Sequence, residues 1–324
     1  MTRRLGTLLR GRSYALALLL ALGGLAANAL LQPSLLRPGV LSGNLLNTLP
    51  LVLVAAGQTL VVLGGGVDLS LGALVSLCNV TFVTLLAARA SAAEVAWAAT
   101  AALGLGLVGG LLNGACVALL RLQPIVATFA TSFVFAGAAL YVMPSPGGSV
   151  PQGLVQAYYS SPLGIPNFFW GVAALLLPWW AARRTRYGPY LYAVGGDARA
   201  AYVTGVPVAL VWLTTYALAG LLAGLGALAL TLSTGTGDPL VGGPMTLSSI
   251  VAVVLGGTRL RGGSGGLLGT VLGVVVLSTV QNIVAFLGVP SWWQTLINGV
   301  IVLLALASAR LEVLLRRRGT WAGA

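Results

Sequence analysis

The chain has 324 residues, of which 58% are hydrophobic and only 7% are charged. Apolar runs near the ~20 residues that a helix needs to cross a bilayer recur throughout, which predicts a polytopic helical membrane protein and excludes a large soluble domain. The runs of Leu, Ala, Val and Gly are continuous rather than alternating, which argues against a β-barrel. The net charge of +12 reflects 17 basic residues, all of them arginine. Because basic residues in such proteins record orientation, no nucleic-acid partner is predicted.

About ten membrane spans are predicted, forming one transmembrane domain over residues 1–324. The first, at 14–31, follows a basic N-terminus that could also belong to a signal peptide, but its length and the spans after it favour a transmembrane helix. The eighth, at 246–257, is too short to cross ~30 Å as one helix, so we expect a half-span or a broken helix there. The remaining spans are predicted at 44–63, 69–88, 95–120, 125–143, 167–182, 207–232, 267–287 and 292–308.

The arginines predict the orientation of this bundle. Fifteen of the 17 fall on one predicted side of the membrane, and only Arg37 and Arg89 fall on the other. By the positive-inside rule, both termini and the polar loop at 183–208 are expected in the cytoplasm. The loop at 144–166 is then extracytoplasmic, and its density of Pro and Gly argues against regular structure.

Two residue types that catalysis often needs are absent from the sequence. Without lysine, neither glycine-rich run, at 64–66 or at 262–266, can be a Walker loop, so any ATP hydrolysis must come from another chain. Without histidine, and with five acidic residues in all, the usual metal clusters and His-based triads are missing. No catalytic residue, cofactor or metal is therefore predicted.

A few polar side chains interrupt the apolar runs, where they are costly unless they find partners. One interpretation is that they line a translocation path for a hydroxylated solute, and the other is that they bond neighbouring helices together. For the carboxylate among them, Asp68, the alternative to a functional role is an N-cap of the helix that follows. The candidate path residues are Gln58, Asp68, Asn79, Asn113 and Asn282, with Gln281 beside the last of them.

The loop at 183–208 contains a predicted short helix. Gly195 and Gly196 are expected to break the chain, Asp197 to act as an N-cap, and 198–204 to form about two helical turns. Its mixture of arginine with apolar residues suits the groove of another protein, but it suits a position on lipid headgroups equally well.

One pentapeptide, VVLGG, occurs twice, at 61–65 and at 253–257. Internal repeats are common in transporters, so a duplication is one explanation. Chance is the other, because the match involves only Val, Leu and Gly.

Three stretches carry a family resemblance. GGGVDLSLG at 64–72, YAVGGDARAAYVTGV at 192–206 and VVLGGTRLRGGSGGLLGTVLG at 253–273 resemble the permease subunits of bacterial ATP-binding-cassette sugar importers of the ribose, xylose and galactose type. The resemblance implies a second permease subunit, identical or different, a cytoplasmic ATPase and an extracytoplasmic solute-binding protein, all at the bacterial inner membrane.

The same resemblance implies that the short cytoplasmic helix couples the permease to its ATPase. Two departures are visible: Asp197 stands where Asn is usual, and 246–249 (TLSS) is uncharged where an acidic run is frequent. The residues that the resemblance assigns to coupling are Gly195, Gly196, Asp197, Ala198, Arg199, Ala200, Ala201 and Gly205.

The function predicted from the sequence is import of a monosaccharide or related small polar solute by alternating access, powered by a separate ATPase. A permease of the same class for nucleosides or other solutes is one alternative. A secondary transporter driven by an ion gradient is another, and it would rely on Asp68 and the short eighth span. A membrane-embedded enzyme or structural subunit is weakened by the absence of His and Lys.

Overall fold

The computed structural model describes residues 15–87 and 90–288, together with residues 293, 296, 299 and 300. The predicted tenth span, at 292–308, falls almost wholly outside these residues, as do Arg89 and the arginines of both termini. Within the described residues the structure is helical, with a single isolated antiparallel bridge between Gly147 and Gly237.

The described helices follow one another with short connections. Two short 3-10 helices, Pro33–Leu36 and Pro162–Gly164, lie between them. The α-helices are α1 (Ala15–Leu31), α2 (Pro38–Leu63), α3 (Leu71–Thr84), α4 (Ala92–Ala118), α5 (Pro124–Val142), α6 (Gln152–Tyr158), α7 (Asn167–Ala182), α8 (Tyr187–Gly196), α9 (Ala198–Val203), α10 (Val208–Thr234), α11 (Gly243–Leu255) and α12 (Leu267–Phe286).

Five of these helices, α2, α4, α5, α10 and α12, are long and apolar enough to cross a membrane. A sixth span is possible if the bent pair Gln152–Gly164 and Asn167–Ala182, which meet at 82°, counts as one. Helices α1, α3 and α11 are apolar but shorter. Helix α11 has only 13 residues, which confirms the prediction of a short helix at the eighth span. The chain is a multi-pass helical membrane protein, while the number of about ten spans stays a prediction.

Helix α10 lies at the centre and packs closely against α4 and α2. Small residues make this possible: a side chain at Gly220 would overlap the backbone of Gly106 and Gly110, and one at Gly57 would meet the backbone of Ala219. The pair α11 and α12 is packed in the same way through Gly256 and Gly269. Small residues at these contacts therefore allow the helix backbones to approach one another closely.

The extracytoplasmic loop predicted at 144–166 is more regular than expected. It contains α6, which begins after Pro151. The buried Tyr158 at the end of α6 donates a hydrogen bond from its hydroxyl to the carbonyl of Leu46 in α2, at 2.8 Å. The expectation of irregular structure was wrong, because proline is tolerated at the start of a helix and tertiary contact stabilises the short helix.

The loop at 183–208 is also mostly helical. The predicted short helix is confirmed as α9, and Asp197 is its N-cap, accepting hydrogen bonds from the backbone of Arg199 at 2.9 Å and Ala200 at 3.0 Å. The break, however, lies at Asp197 itself, which is extended, and not at the two glycines before it. Gly195 and Gly196 are the last residues of α8.

The two VVLGG segments end their helices in the same way. At the end of α2, the amide of Gly65 donates to Val62 and that of Gly66 donates to Val61, both at 3.0 Å. At the end of α11, Gly257 donates to Val254 at 2.9 Å and Thr258 to Val253 at 3.1 Å. The second glycine of each segment has a positive φ, +84° at Gly65 and +80° at Gly257. The repeated sequence is therefore a repeated helix C-cap, as glycine in the left-handed conformation favours.

Candidate functional site

The three stretches that carry the family resemblance meet at one place. A side chain at Gly195 would overlap the carbonyl oxygen of Leu63 and lie 2.7 Å from the amide nitrogen of Gly263. One at Gly262 would lie 2.8 Å from the Cα of Gly65. Gly65, Gly262 and Gly263 all have positive φ, so glycine is required there for backbone conformation as well as for space. We name these residues, Gly65, Gly195, Gly262 and Gly263, the glycine junction.

Hydrogen bonds hold the glycine junction together. The amide of Gly263 donates to the carbonyl of Leu63 at 3.1 Å, which joins the loop before α12 to the end of α2. The Trp212 indole donates to the carbonyl of Gly64 at 3.0 Å, and the Tyr192 hydroxyl donates to the carbonyl of Gly265 at 2.8 Å. Burial raises the pKa of Tyr192, although nearby Arg183 opposes the shift, so the phenol stays neutral and remains a donor at physiological pH.

Helix α9 presents an exposed surface beside this junction. Ala201 is buried and anchors the helix. Tyr202 and Val203 are 74% and 84% exposed, and Arg199 and Ala200 are also exposed. Gly196, unlike Gly195, faces open space. An apolar pair exposed on a capped helix of two turns is a surface that another molecule can cover.

Four of the predicted path residues lie in the protein interior, and three of these form one network. Both oxygens of Asp68 accept hydrogen bonds, one from the backbone and hydroxyl of Ser70 at 2.8 and 2.7 Å, the other from the Asn113 amide at 3.3 Å. Asn113 in turn accepts from the Thr131 hydroxyl at 2.6 Å. With its amide in the orientation that satisfies both ends, Gln58 donates to the carbonyl of Asp68 at 3.0 Å and accepts from its amide at 3.2 Å.

This network joins α2, α3, α4 and α5 around the break at the end of α2. Helix α3 begins at Leu71 with Ser70 as its N-cap residue, so Asp68 caps the turn before the helix and is not the N-cap itself. A fully hydrogen-bonded cluster in the interior stabilises a specific helix arrangement. That these residues line a path stays a prediction.

Asn79 belongs to a separate cluster at the other end of α3. Its amide donates to the Thr231 hydroxyl at 2.6 Å and to the carbonyl of Thr236 at 3.3 Å, and its oxygen accepts from the amide of Asp238 at 2.8 Å. It therefore ties α3 to the turn that follows α10.

Asn282 lies in different surroundings, at the wall of a cavity of about 240 Å³ between α1, α2 and α12. Its side-chain oxygen accepts from the amide of Asn28 at 3.1 Å. Sequence reasoning missed Asn28, Asn44 and Asn47 because each lies near a predicted span end or loop, where an amide attracts no notice. The amides that line the cavity are Asn28, Asn44, Asn47, Gln281 and Asn282.

Comparison with known proteins identifies the family to which this chain belongs. A family model described as branched-chain amino acid transport system permease component matches residues 40–306. The chain is 34% identical over 259 residues to the ribose import permease protein RbsC of Escherichia coli, covering 78% of this chain and 80% of the relative. It is 35% identical over 285 residues to RbsC of Bacillus subtilis, covering 86% of each, and 34% identical over 274 residues to the autoinducer 2 import system permease protein LsrC of Salmonella choleraesuis, covering 82% and 77%. No solved structure matches the chain. These relatives confirm the resemblance to importer permeases, and the chain belongs to the family of branched-chain amino acid transport system permease components.

Proposed function

We propose that the chain is the transmembrane permease subunit of an ATP-binding-cassette importer, moving a monosaccharide or related small polar solute by alternating access. The observation that carries the proposal is the glycine junction, where all three family stretches meet beside the exposed helix α9. The substrate class is inferred from the relatives, which are named as import permeases for ribose and for autoinducer 2.

The energy is supplied by a separate ATPase that docks on α9. The chain contains no lysine for a Walker loop, which supports an external source. The exposed Tyr202 and Val203, with Arg199 and Ala200, provide the contact surface. Of the residues assigned to coupling, Gly195 and Ala201 are buried, so their role is to transmit movement inward.

Movement of α9 passes to α8 across Asp197 and then to the glycine junction. Backbone packs directly on backbone there, with no flexible side chain between to absorb a shift. The junction joins the end of α2 to the loop before α12, so a displacement of α8 is transmitted to both helices.

The proposed topology has about ten spans in one permease domain, with both termini and 183–208 in the cytoplasm and 144–166 outside. The arginine distribution supports this orientation. A second permease subunit, identical or different, completes the pore, and a solute-binding protein delivers the solute on the outer side of the bacterial inner membrane. No cofactor or metal takes part in this mechanism.

Uptake into proteoliposomes tests the proposal. The permease is reconstituted with its ATPase, with the binding protein and labelled monosaccharide outside and ATP within. Uptake should need all of these components and should cease when the Walker lysine of the ATPase is replaced. Uptake driven by a proton or sodium gradient without ATP would contradict the proposal and support a secondary transporter.

A further inference from the structure

The cavity between α1, α2 and α12 has the chemistry of a binding site. Among the residues that the structure describes, thirteen line it: five have amide side chains, three have hydroxyls, the rest are aliphatic, and none of the thirteen is charged. Its volume of about 240 Å³ is below the ~300–1,000 Å³ of pockets for drug-sized ligands, which limits an occupant to a small molecule.

One lining residue has an unused hydrogen-bonding group. Asn28 is only 2% exposed, and its Oδ1 is buried without a partner among the described residues. Its Nδ2 is engaged with Asn282. A buried acceptor that has no hydrogen-bond partner destabilises the fold, so a donor supplied by a ligand would relieve this cost.

The lining selects a neutral solute rich in hydroxyl groups. Each hydroxyl both donates and accepts, and the surrounding amides offer both donors and acceptors. A zwitterionic amino acid would place an ammonium and a carboxylate among neutral groups, and burial of charges without ionic partners is costly. The distinction matters because the matching family model is described by amino acid transport.

The cavity and the glycine junction lie toward opposite ends of the same two helices. Asn44 and Asn47 are in the first half of α2 and the junction follows its last residue, while Gln281 and Asn282 are near the end of α12 and the junction precedes its start. Between them, the hydroxyls of Thr59 and Thr270 join α2 to α12 at 2.6 Å. Asn47 accepts from the Tyr159 hydroxyl at 2.8 Å, so the cavity adjoins the segment 144–166.

We propose that this cavity is an outward-side holding site within one permease subunit, which binds a neutral polyhydroxylated solute and excludes zwitterionic amino acids. The inference rests on the proposed transport function and adds the location of the bound solute and the exclusion of zwitterionic amino acids. Movement at the glycine junction would act on the site through α2 and α12.

Binding to the isolated permease tests this site. The full chain in lipid nanodiscs is titrated with D-ribose, D-xylose, D-galactose and L-leucine, and saturation-transfer NMR measures each ligand against empty nanodiscs. At least one sugar should bind saturably and L-leucine should not. Asn28→Leu should raise the Kd for the sugar roughly two- to tenfold, which is the effect of losing one hydrogen bond.

Gln123→Leu is the matched control, because it makes the same amide-to-leucine change at an exposed position away from the cavity. If Asn28→Leu fails to fold, by size exclusion and thermal midpoint, the half-buried Asn44→Leu replaces it with the same expected loss. The inference is overturned if no sugar binds, if L-leucine competes with equal affinity, or if the cavity variant binds as tightly as the wild type.

The uptake experiment separates this inference from the proposed function. ATP-dependent uptake by a permease that binds no sugar on its own would leave the function standing and remove the site. If the cavity variants weaken sugar binding but no ATP-dependent uptake is observed, the binding site stands and the importer mechanism is contradicted.

Discussion

At the scale of single residues, two neighbouring glycines of one motif have different physical roles. Gly195 lies against the backbone of Leu63 and Gly263, whereas Gly196 has open space where a side chain would be. The sequence motif does not distinguish them, because both residues end the same helix. The difference arises from the backbone at Leu63, more than 100 positions before the motif, and from the backbone at Gly263, which follows it in the chain.

Gly195→Ala should destabilise the permease. Its methyl group would overlap the Leu63 carbonyl oxygen, and overpacking of this kind costs about 1–3 kcal/mol. The thermal midpoint in nanodiscs should fall, and ATP-driven uptake should fall with it. Gly104→Ala is the control, because Gly104 is helical with nothing within 4 Å of an added methyl group. Equal thermal midpoints for the two variants would contradict the packing assigned to the glycine junction.

At the scale of elements, the short helix α9 was predictable from local chemistry. Asp197 followed by a run of good helix formers is an N-terminal signal, and the structure confirms it. Helix α8 was not predictable in the same way, since its three glycines and Pro189 disfavour a helix. Tertiary contact overrides this propensity, because Leu191 and Val194 are buried against the hydrophobic core.

Val203→Glu should weaken binding of the ATPase at least roughly tenfold, because a charge would be introduced at the centre of the proposed apolar contact. Ala200→Glu, on the same exposed part of α9, should act in the same direction. Co-purification with the ATPase and its Kd measure the effect. Leu163→Glu is the control, since Leu163 is highly exposed, at 89% against 84% for Val203, but lies in the segment predicted on the opposite side of the membrane. Unchanged ATPase binding by the α9 variants would show that α9 lies on lipid headgroups instead.

At the scale of the whole molecule, the orientation in the membrane rests on the arginines and can be tested directly. In a background with Cys78→Ala and Cys116→Ala, a single cysteine is introduced as Leu163→Cys or Val203→Cys, both at highly exposed positions. An impermeant maleimide should label the first in intact spheroplasts and the second only after lysis. The opposite pattern would reverse the proposed topology and remove α9 from the reach of a cytoplasmic ATPase.

The candidate path residues show where prediction from sequence reaches its limit. Each was selected for its polarity within an apolar run, which is a property of its own segment. Asp68 and Asn113 lie 45 positions apart and share a hydrogen bond, while Asn79 reaches Thr231 at 152 positions' distance. Whether such a side chain faces a partner or a cavity depends on which helices pack together, and no local pattern contains that information.

Local sequence was enough to predict the membrane class, the positions of most helices, the N-cap at Asp197 and the lack of a Walker loop in this chain. These follow from hydropathy, propensity and residue inventory, which act over a few helical turns. Packing of the helices in the folded bundle brings three distant glycine runs into one junction and places Asn28 and Asn282, 254 positions apart, at the wall of one cavity. Those arrangements depend on the close approach of backbones between helices, which small residues permit but whose partners only the packed bundle selects.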